Sequence, residues 1–204
     1  MNRLTKRQAS VDFSIVDNEE GTIEGLPIVF NSETIIHDIE GDFREIIKPD
    51  ALVDCDMKDM LLCINHDIQK IPLARTKNGH GTMSTEITEE GLKIIAKLDI
   101  VNNTEARAVY SSIKRGDLNG MSFMFRVAED EWSDIDSNLP LRVIKKISII
   151  HEVSIVNFPA YEDTKISARC EEETENLLKE IKKSREDKAL IELEKTKLKY
   201  LLGE

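Results

Sequence analysis

Gly120-Met121-Ser122-Phe123-Met124-Phe125-Arg126-Val127 reads as a β-strand with two unlike faces. Strand side chains alternate, so Met121, Phe123, Phe125 and Val127 share one face while Gly120, Ser122 and Met124 share the other. The aromatic face predicts a core contact, and the opposite face presents a hydroxyl. Two further apolar runs each carry a residue that does not belong in a hydrocarbon interior. Leu61 to Asp67 holds His66, and Ile147 to Val156 holds Glu152. Burying such groups costs about 2 kcal/mol or more apiece unless partners compensate. A hydroxyl, a base and a carboxylate can be those partners for one another, and they are also the set that acyl transfer requires.

Outward from these runs, the chain alternates strand and turn signals. Val11 to Phe30 predicts a hairpin, with Gly21 and Gly25 as breaks and Pro27 at an edge or strand start. Phe43 to Ile47 predicts a short strand, Pro49 to Met57 a brief helix or turn, and Met60 to Asn65 a strand delivering His66. Lys77 to Gly81 reads as a turn, and Met83–Ile87 with Leu92–Ile100 as a β-hairpin. Asn102 followed by Glu105 has capping-box character, and Ala106, Val109, Tyr110 and Ile113 recur at helical spacing up to Gly116. Glu129 to Asn138 predicts an exposed acidic loop, and Leu141 to Val156 a strand that Pro159 stops. Beyond Arg169 the composition turns to Glu and Lys, with Leu177, Leu178, Ile181, Leu190, Leu193, Leu198, Leu201 and Leu202 at apolar positions. That pattern predicts an amphipathic helix or helical pair, serving either as a solvated appendage or as a docking or oligomerisation element. The expected organisation is a flexible amino-terminal arm over 1–10, one domain over 11–169 and a charged helical tail over 170–204.

The 204 residues carry a formal net charge of -11. This argues against a nucleic-acid surface, which needs a clustered basic face to release counterions. No apolar run approaches the roughly 20 residues that span a bilayer, so no membrane role is expected. Met1 to Ser10 carries Arg3, Lys6 and Arg7 without the apolar stretch of a secretory signal, and the three cysteines, Cys55, Cys63 and Cys170, are odd in number. A reducing cytoplasm is expected.

Each candidate has a plainer explanation beside the chemical one. A strand serine is commonplace, but Gly120, two residues before Ser122, permits close approach of backbone or substrate. The segment lacks the Gly-x-Ser-x-Gly elbow, which argues against an α/β-hydrolase. His66 could be structural; as a general base it needs to lie within hydrogen-bond reach of its nucleophile. His37 and His80 sit in polar turns, and Asp67 diverges from His66 as a strand neighbour. Cys55, Cys63 and His66 match none of the usual zinc spacings, so no metal site is expected. Glu152 could simply pair with an Arg, or it could orient His66. His151 competes with it for that third place, since the two neighbours face opposite ways.

The ordered segments Gly25-Leu26-Pro27-Ile28-Val29-Phe30-Asn31, Phe43 to Leu52, Asn65-His66-Asp67, Glu90-Gly91-Leu92, Gly116 to Phe123, and Glu152-Val153-Ser154-Ile155-Val156 with Pro159-Ala160-Tyr161 carry a resemblance. Over about residues 11 to 168 the chain resembles the prohead maturation proteases of tailed bacteriophages, a family related in fold to herpesvirus assemblin proteases. It departs at Asp50 and Leu52, where the family usually has Gly and Phe, and the herpesvirus relatives use a second His as third member. The resemblance implies an α+β fold with a mainly antiparallel, β-barrel-like core and flanking helices. It implies a serine endopeptidase with Ser122 as nucleophile, His66 as base and Glu152 as orienting carboxylate, His151 being the alternative. That chemistry needs no cofactor. Glu152 is favoured because the phage pattern places Glu directly before Val-Ser. Asn157 to Tyr161 is the candidate oxyanion segment. The implied substrates are the scaffolding protein, the amino-terminal region of the major capsid protein and the protease itself, inside an assembling procapsid in the host cytoplasm. A homo-oligomer is compatible with this. The competing expectation is an inactive protease-like scaffold or head-assembly chaperone whose charged tail is the working part.

Overall fold

The computed structural model describes residues 5–10, 14–15, 20–38, 41–157 and 172–202. Among them are β1 (Thr5–Ser10), β2 (Ser14–Ile15), β3 (Thr22–Val29), β4 (Thr34–Ile36), β5 (Phe43–Ile47), β6 (Leu61–Ile64), β7 (Ala74–Arg75), β8 (Met83–Ile87), β9 (Gly91–Lys97), α1 (Thr104–Lys114), β10 (Gly120–Ser133), β11 (Leu141–Val156) and α2 (Glu172–Leu202). The fold is α+β and mostly sheet. One sheet runs β1-β10-β11-β5-β4, with β6 and β7 attached to β11; the other runs β2-β3-β9-β8.

β11 is the spine of the larger sheet. One edge pairs antiparallel with β10. The other edge is shared end to end by two parallel partners, β5 against Leu141–Ile144 and β6 against Glu152–Ile155, with an Asp56–Ile149 bridge between them. The pairing is mainly antiparallel, as expected, but the two parallel partners of β11 correct the expected barrel-like core. Because that edge of β11 is divided between β5 and β6, which end in the short strands β4 and β7, the sheet branches and does not close. The core lies between the two sheets, where Ile23, Ile28, Leu92 and Ile94 meet Met121, Phe123, Phe125, Ile150, Val153 and Ile155. Phe123 and Phe125 stack at 4.8 Å between ring centroids. Helix α1 closes one side of the core with Ala106, Val109 and Ile113, the positions its period predicts.

Four other expectations change in detail. Residues 5–10, expected as part of a flexible arm, form β1 along the edge of β10. The acidic stretch expected as a loop over 129–138 is loop only in its second half: β10 continues to Ser133, with Asp130 held by Arg142 and Trp132 packed on Phe43. The cap of α1 is Asn103, whose side chain accepts from the Glu105 and Ala106 N–H groups, while Asn102 bonds back to Asp99. In α2, Leu178 and Ile181 are buried, but Leu190, Ile191 and Leu193 are exposed, so a single apolar stripe does not run the length of the helix. The hairpin expected over 11–30 appears as β2 paired with β3; residues 11–13 and 16–19 lie outside the described residues.

A bulge in β11 sets which residues face where. Met124 pairs with Glu152 but Phe125 pairs with Ile150, leaving His151 as the extra residue. Ile150 and Val153 are three apart and would face opposite ways in a regular strand. The bulge lets both enter the core, at 1% and 0% exposure. Glu152 and Ser154 are thereby turned to the other face of the sheet, the face that carries Ser122.

Candidate active site

β6 ends in a turn built for two left-handed residues. Asn65 and His66 have φ of 49° and 61°, and the Asp67 N–H closes the turn on the Ile64 carbonyl at 3.0 Å. This is the geometry of a type I′ turn, in which Asn is favoured and a bulky residue at the second position costs about 1–3 kcal/mol. Asn65 also anchors the turn to the end of β11: its N–H donates to the Ile155 carbonyl at 2.9 Å and its Oδ1 accepts from the Asn157 N–H at 3.2 Å. The strained turn folds His66 back over the sheet instead of letting it continue along the strand.

His66 consequently meets β11 twice. Its backbone N–H donates to Ser154 Oγ at 3.0 Å, and its Nδ1 is hydrogen-bonded to Glu152 Oε1. Glu152 is fully buried and the His66 side chain is 11% exposed. The other carboxylate oxygen, Oε2, accepts from the Ser154 hydroxyl at 2.6 Å. Both oxygens of this buried carboxylate therefore have donors, as a buried charge requires. An ionised carboxylate only accepts, so opposite one Nδ1 would be the donor and Nε2 of a neutral imidazole would carry the lone pair.

Ser122 lies one strand further on. It pairs directly with Ser154 across β10 and β11, and Ser154 pairs with Cys63 on β6, so three small side chains form one row on the same face. Directly opposite side chains in such a row have Cβ atoms about 4.5–5.5 Å apart. Ser122, Glu152 and Ser154 are all 0% exposed. The structure brings His66 and Glu152 into contact and sets Ser122 beside the serine that contacts both.

The remaining candidates fall elsewhere. His151, on the bulge, has a buried Nε2 without a hydrogen-bond partner among the described residues, as does Arg126 Nε. Burial, and next the Arg126 charge, hold the His151 imidazole below its ordinary range, against the opposing pull of Asp56 and Glu152. Asp67 Oδ1 accepts from the Gln69 N–H, and His37 pairs with Asp42 at the surface. Burial, with the Glu152 and Asp67 charges behind it, pushes the Cys63 thiol up to about 12; Cys55 is likewise pushed to about 12, by burial and then Asp56. Both thiols stay protonated at neutral pH, which makes them poor nucleophiles. No cluster able to hold a metal ion occurs among the described residues. Of the expected oxyanion segment, the Asn157 N–H is committed to Asn65, and residues 158–161 lie outside the described residues. Ser154 was not among the sequence candidates. Its signal was the period of two, which places it on the same face as Glu152.

Comparison with known proteins supplies the affiliation. A family model described as caudovirus prohead serine protease matches residues 9–180. The prohead protease of Enterobacteria phage HK97 is 28% identical over 155 residues, covering 74% of this chain and 61% of the relative. The chain thus spans about three fifths of the length of that curated relative. No solved structure matches. With the family model covering most of its length, the chain belongs to the caudovirus prohead serine protease family.

Proposed function

We propose that the protein is a serine endopeptidase of phage head maturation, with Ser122 as nucleophile, His66 as general base and Glu152 as the residue that fixes the imidazole. The observation that carries this reading is the His66–Glu152 hydrogen bond formed over the sheet face that bears Ser122. The bond places the proton on Nδ1 and leaves Nε2 to take the Ser122 proton during attack on a scissile carbonyl. His66 then returns that proton to the leaving amine, and water resolves the acyl-enzyme. Ser154 does not compete as nucleophile, because its hydroxyl proton is directed at Glu152 and its lone pair accepts the His66 N–H. The contact supports Glu152 over His151 as third member. Kinship in fold with the herpesvirus assemblin proteases belongs to the same proposal.

Family membership supports a substrate within the prohead: the scaffolding protein or the amino-terminal region of the major capsid protein, with self-cleavage in the same compartment. Mass spectrometry of purified protein after long incubation tests the last point, and an intact carboxy terminus counts against it. Among the described residues no helix is long and apolar enough to cross a membrane. A second reading, an inactive scaffold or assembly chaperone, is favoured by the complete burial of Ser122, since an active serine must be reached by its substrate.

A fluorophosphonate probe separates the two. The protease reading expects labelling of wild type and none of Ser122→Ala or His66→Ala. Absence of label in the presence of co-assembled capsid protein favours the scaffold. Co-expression with the capsid protein adds the natural readout: processing lost in Ser122→Ala and His66→Ala, and retained in His151→Ala.

A further inference from the structure

We infer that Ser154 is a positioning residue of this site, a fourth side chain that holds both the carboxylate and the turn on which the base is carried. The inference rests on the reading of Ser122, His66 and Glu152 as the catalytic set. A single hydroxyl makes two contacts with that set: it donates to Glu152 Oε2 at 2.6 Å and accepts the His66 backbone N–H at 3.0 Å. It is completely buried, so water cannot readily replace it in either contact.

Each contact constrains a different degree of freedom. The donation to Oε2 fixes rotation of the carboxylate, so that Oε1 stays aimed at His66 Nδ1. The acceptance of the His66 N–H holds a residue whose φ of 61° is otherwise unfavourable. Remove the hydroxyl, and a buried carboxylate oxygen and a partly buried backbone donor lose their partner together, a larger disturbance than the loss of one ordinary bond. Ser154 moves no proton in the reaction; its proton stays on its own oxygen throughout.

Ser154 lies between Ser122 and Cys63 in the row of side chains that runs across β10, β11 and β6. Cys63 has the packing volume but not the donor strength needed here, since a thiol is a weak donor. That contrast supplies the control: a Cys at 154 fills the space without supporting Glu152.

The effect on pH dependence has a definite sign. An anion that loses a hydrogen-bond donor binds a proton more readily. The acid limb of labelling in a variant lacking the hydroxyl is therefore expected to lie at higher pH than in wild type. The titratable groups facing Glu152 among the described residues are His66 from the turn, Cys63 from β6 and His151 beside it on β11. Cys63 stays protonated across the range, and a control series with His151→Asn removes the remaining one.

The test is the second-order rate of fluorophosphonate labelling between pH 5 and 9, with the labelled residue identified by peptide mass. Ser154→Ala is expected to slow labelling of Ser122 by about 10- to 100-fold and to move the acid limb up by about one pH unit. Ser154→Cys is expected to keep the wild-type melting temperature within a few degrees yet show the same slowing and shift. Ser154→Thr, which keeps the hydroxyl, is expected to return the acid limb to its wild-type position. A purely structural serine would lower the melting temperature of Ser154→Ala and leave the limb unmoved, and that result overturns the inference. If Ser154→Ala does not fold, the Cys and Thr variants decide it in the same way. Wild type labelled at Ser122, with Ser154→Ala and Ser154→Cys labelled at the same rate, removes the role of Ser154 alone. Wild type unlabelled, or labelled at Ser154, removes the catalytic assignment and this inference with it.

Discussion

At the scale of single residues, the proposed mechanism turns on the tautomer of His66, which the hydrogen bond to Glu152 would set. Glu152→Gln keeps the shape of the carboxylate but offers an amide N–H to Nδ1, which favours the tautomer with its proton on Nε2 and no base facing Ser122. The expected loss of labelling rate is roughly 10⁴-fold, the scale seen when an orienting carboxylate in a serine protease is replaced by its amide. His151→Ala is expected to label at close to the wild-type rate; if it loses as much as Glu152→Gln, His151 is the third member. His151 makes a separate prediction about stability. Its imidazole is held below its ordinary range in the folded chain, so the unfolded chain binds the proton first as pH falls below about 6.5. The associated stability is complete above that pH and is lost on the way down to the folded-state value. His151→Gln should therefore flatten the fall of the urea midpoint between pH 7.5 and 5.5, and an unchanged slope would count against it. The partnership of His66 with Glu152 was legible because each interrupts an apolar run. The left-handed turn at Asn65–His66 was not, since a positive φ at His depends on the bonds to Ile155 and Asn157 on another strand.

At the scale of elements, the site depends on three strands, β6, β10 and β11, and on what keeps them in register. The alternation of apolar and polar residues in 120–127 made the β10 face readable, and the period of 3.6 did the same for α1. The bulge at His151 was hidden, because a bulge is a property of a pair of strands and Ile147 to Val156 alone reads as a regular run. Deleting His151 tests its importance. A one-residue slip exchanges faces, so the shortened strand must drive either Ile150 from the core or Glu152 and Ser154 into it. The expected result is loss of cooperative unfolding by circular dichroism, whereas His151→Gly, which keeps the residue count, should still unfold cooperatively. The acidic run at 129–138 misled for a related reason: its charges face solvent while Asp130 and Trp132 engage Arg142 and Phe43, partners remote in sequence. Helix α1 has a simpler dependence. Asn103→Ala removes a side-chain oxygen that accepts from two backbone N–H groups, and it should cost about 1 kcal/mol in urea denaturation.

At the scale of the molecule, α2 and the candidate site occupy opposite ends of β11. Leu178 packs with Ile36, Phe43 and Trp132, and the guanidinium of buried Arg142 lies 5.8 Å from the centre of the Trp132 ring while bonding Asp130 and Glu45. Arg185 adds a bond to the Ile135 carbonyl, and Lys188 pairs with Asp136. Trp132 faces Arg142 in the β10–β11 register. Glu152 is ten positions further along β11, which is about 33 Å at the rise of a strand. Detaching α2 should therefore be visible at Trp132 and silent at Ser122. Leu178→Asp replaces a side chain whose burial is worth about 1.5–3 kcal/mol with one that resists burial. Because the chain contains a single tryptophan, its emission reports this contact without interference. The variant should show red-shifted emission and faster proteolysis within α2, with the fluorophosphonate rate at Ser122 unchanged within about threefold. Lys188→Ala, which removes only an exposed, solvent-screened ion pair, should leave all three readouts at wild-type values. Unchanged emission in Leu178→Asp would mean that α2 is not held on Trp132 in solution. A red shift accompanied by loss of labelling would mean that the two ends of β11 are coupled, so that a change at α2 reaches the candidate site.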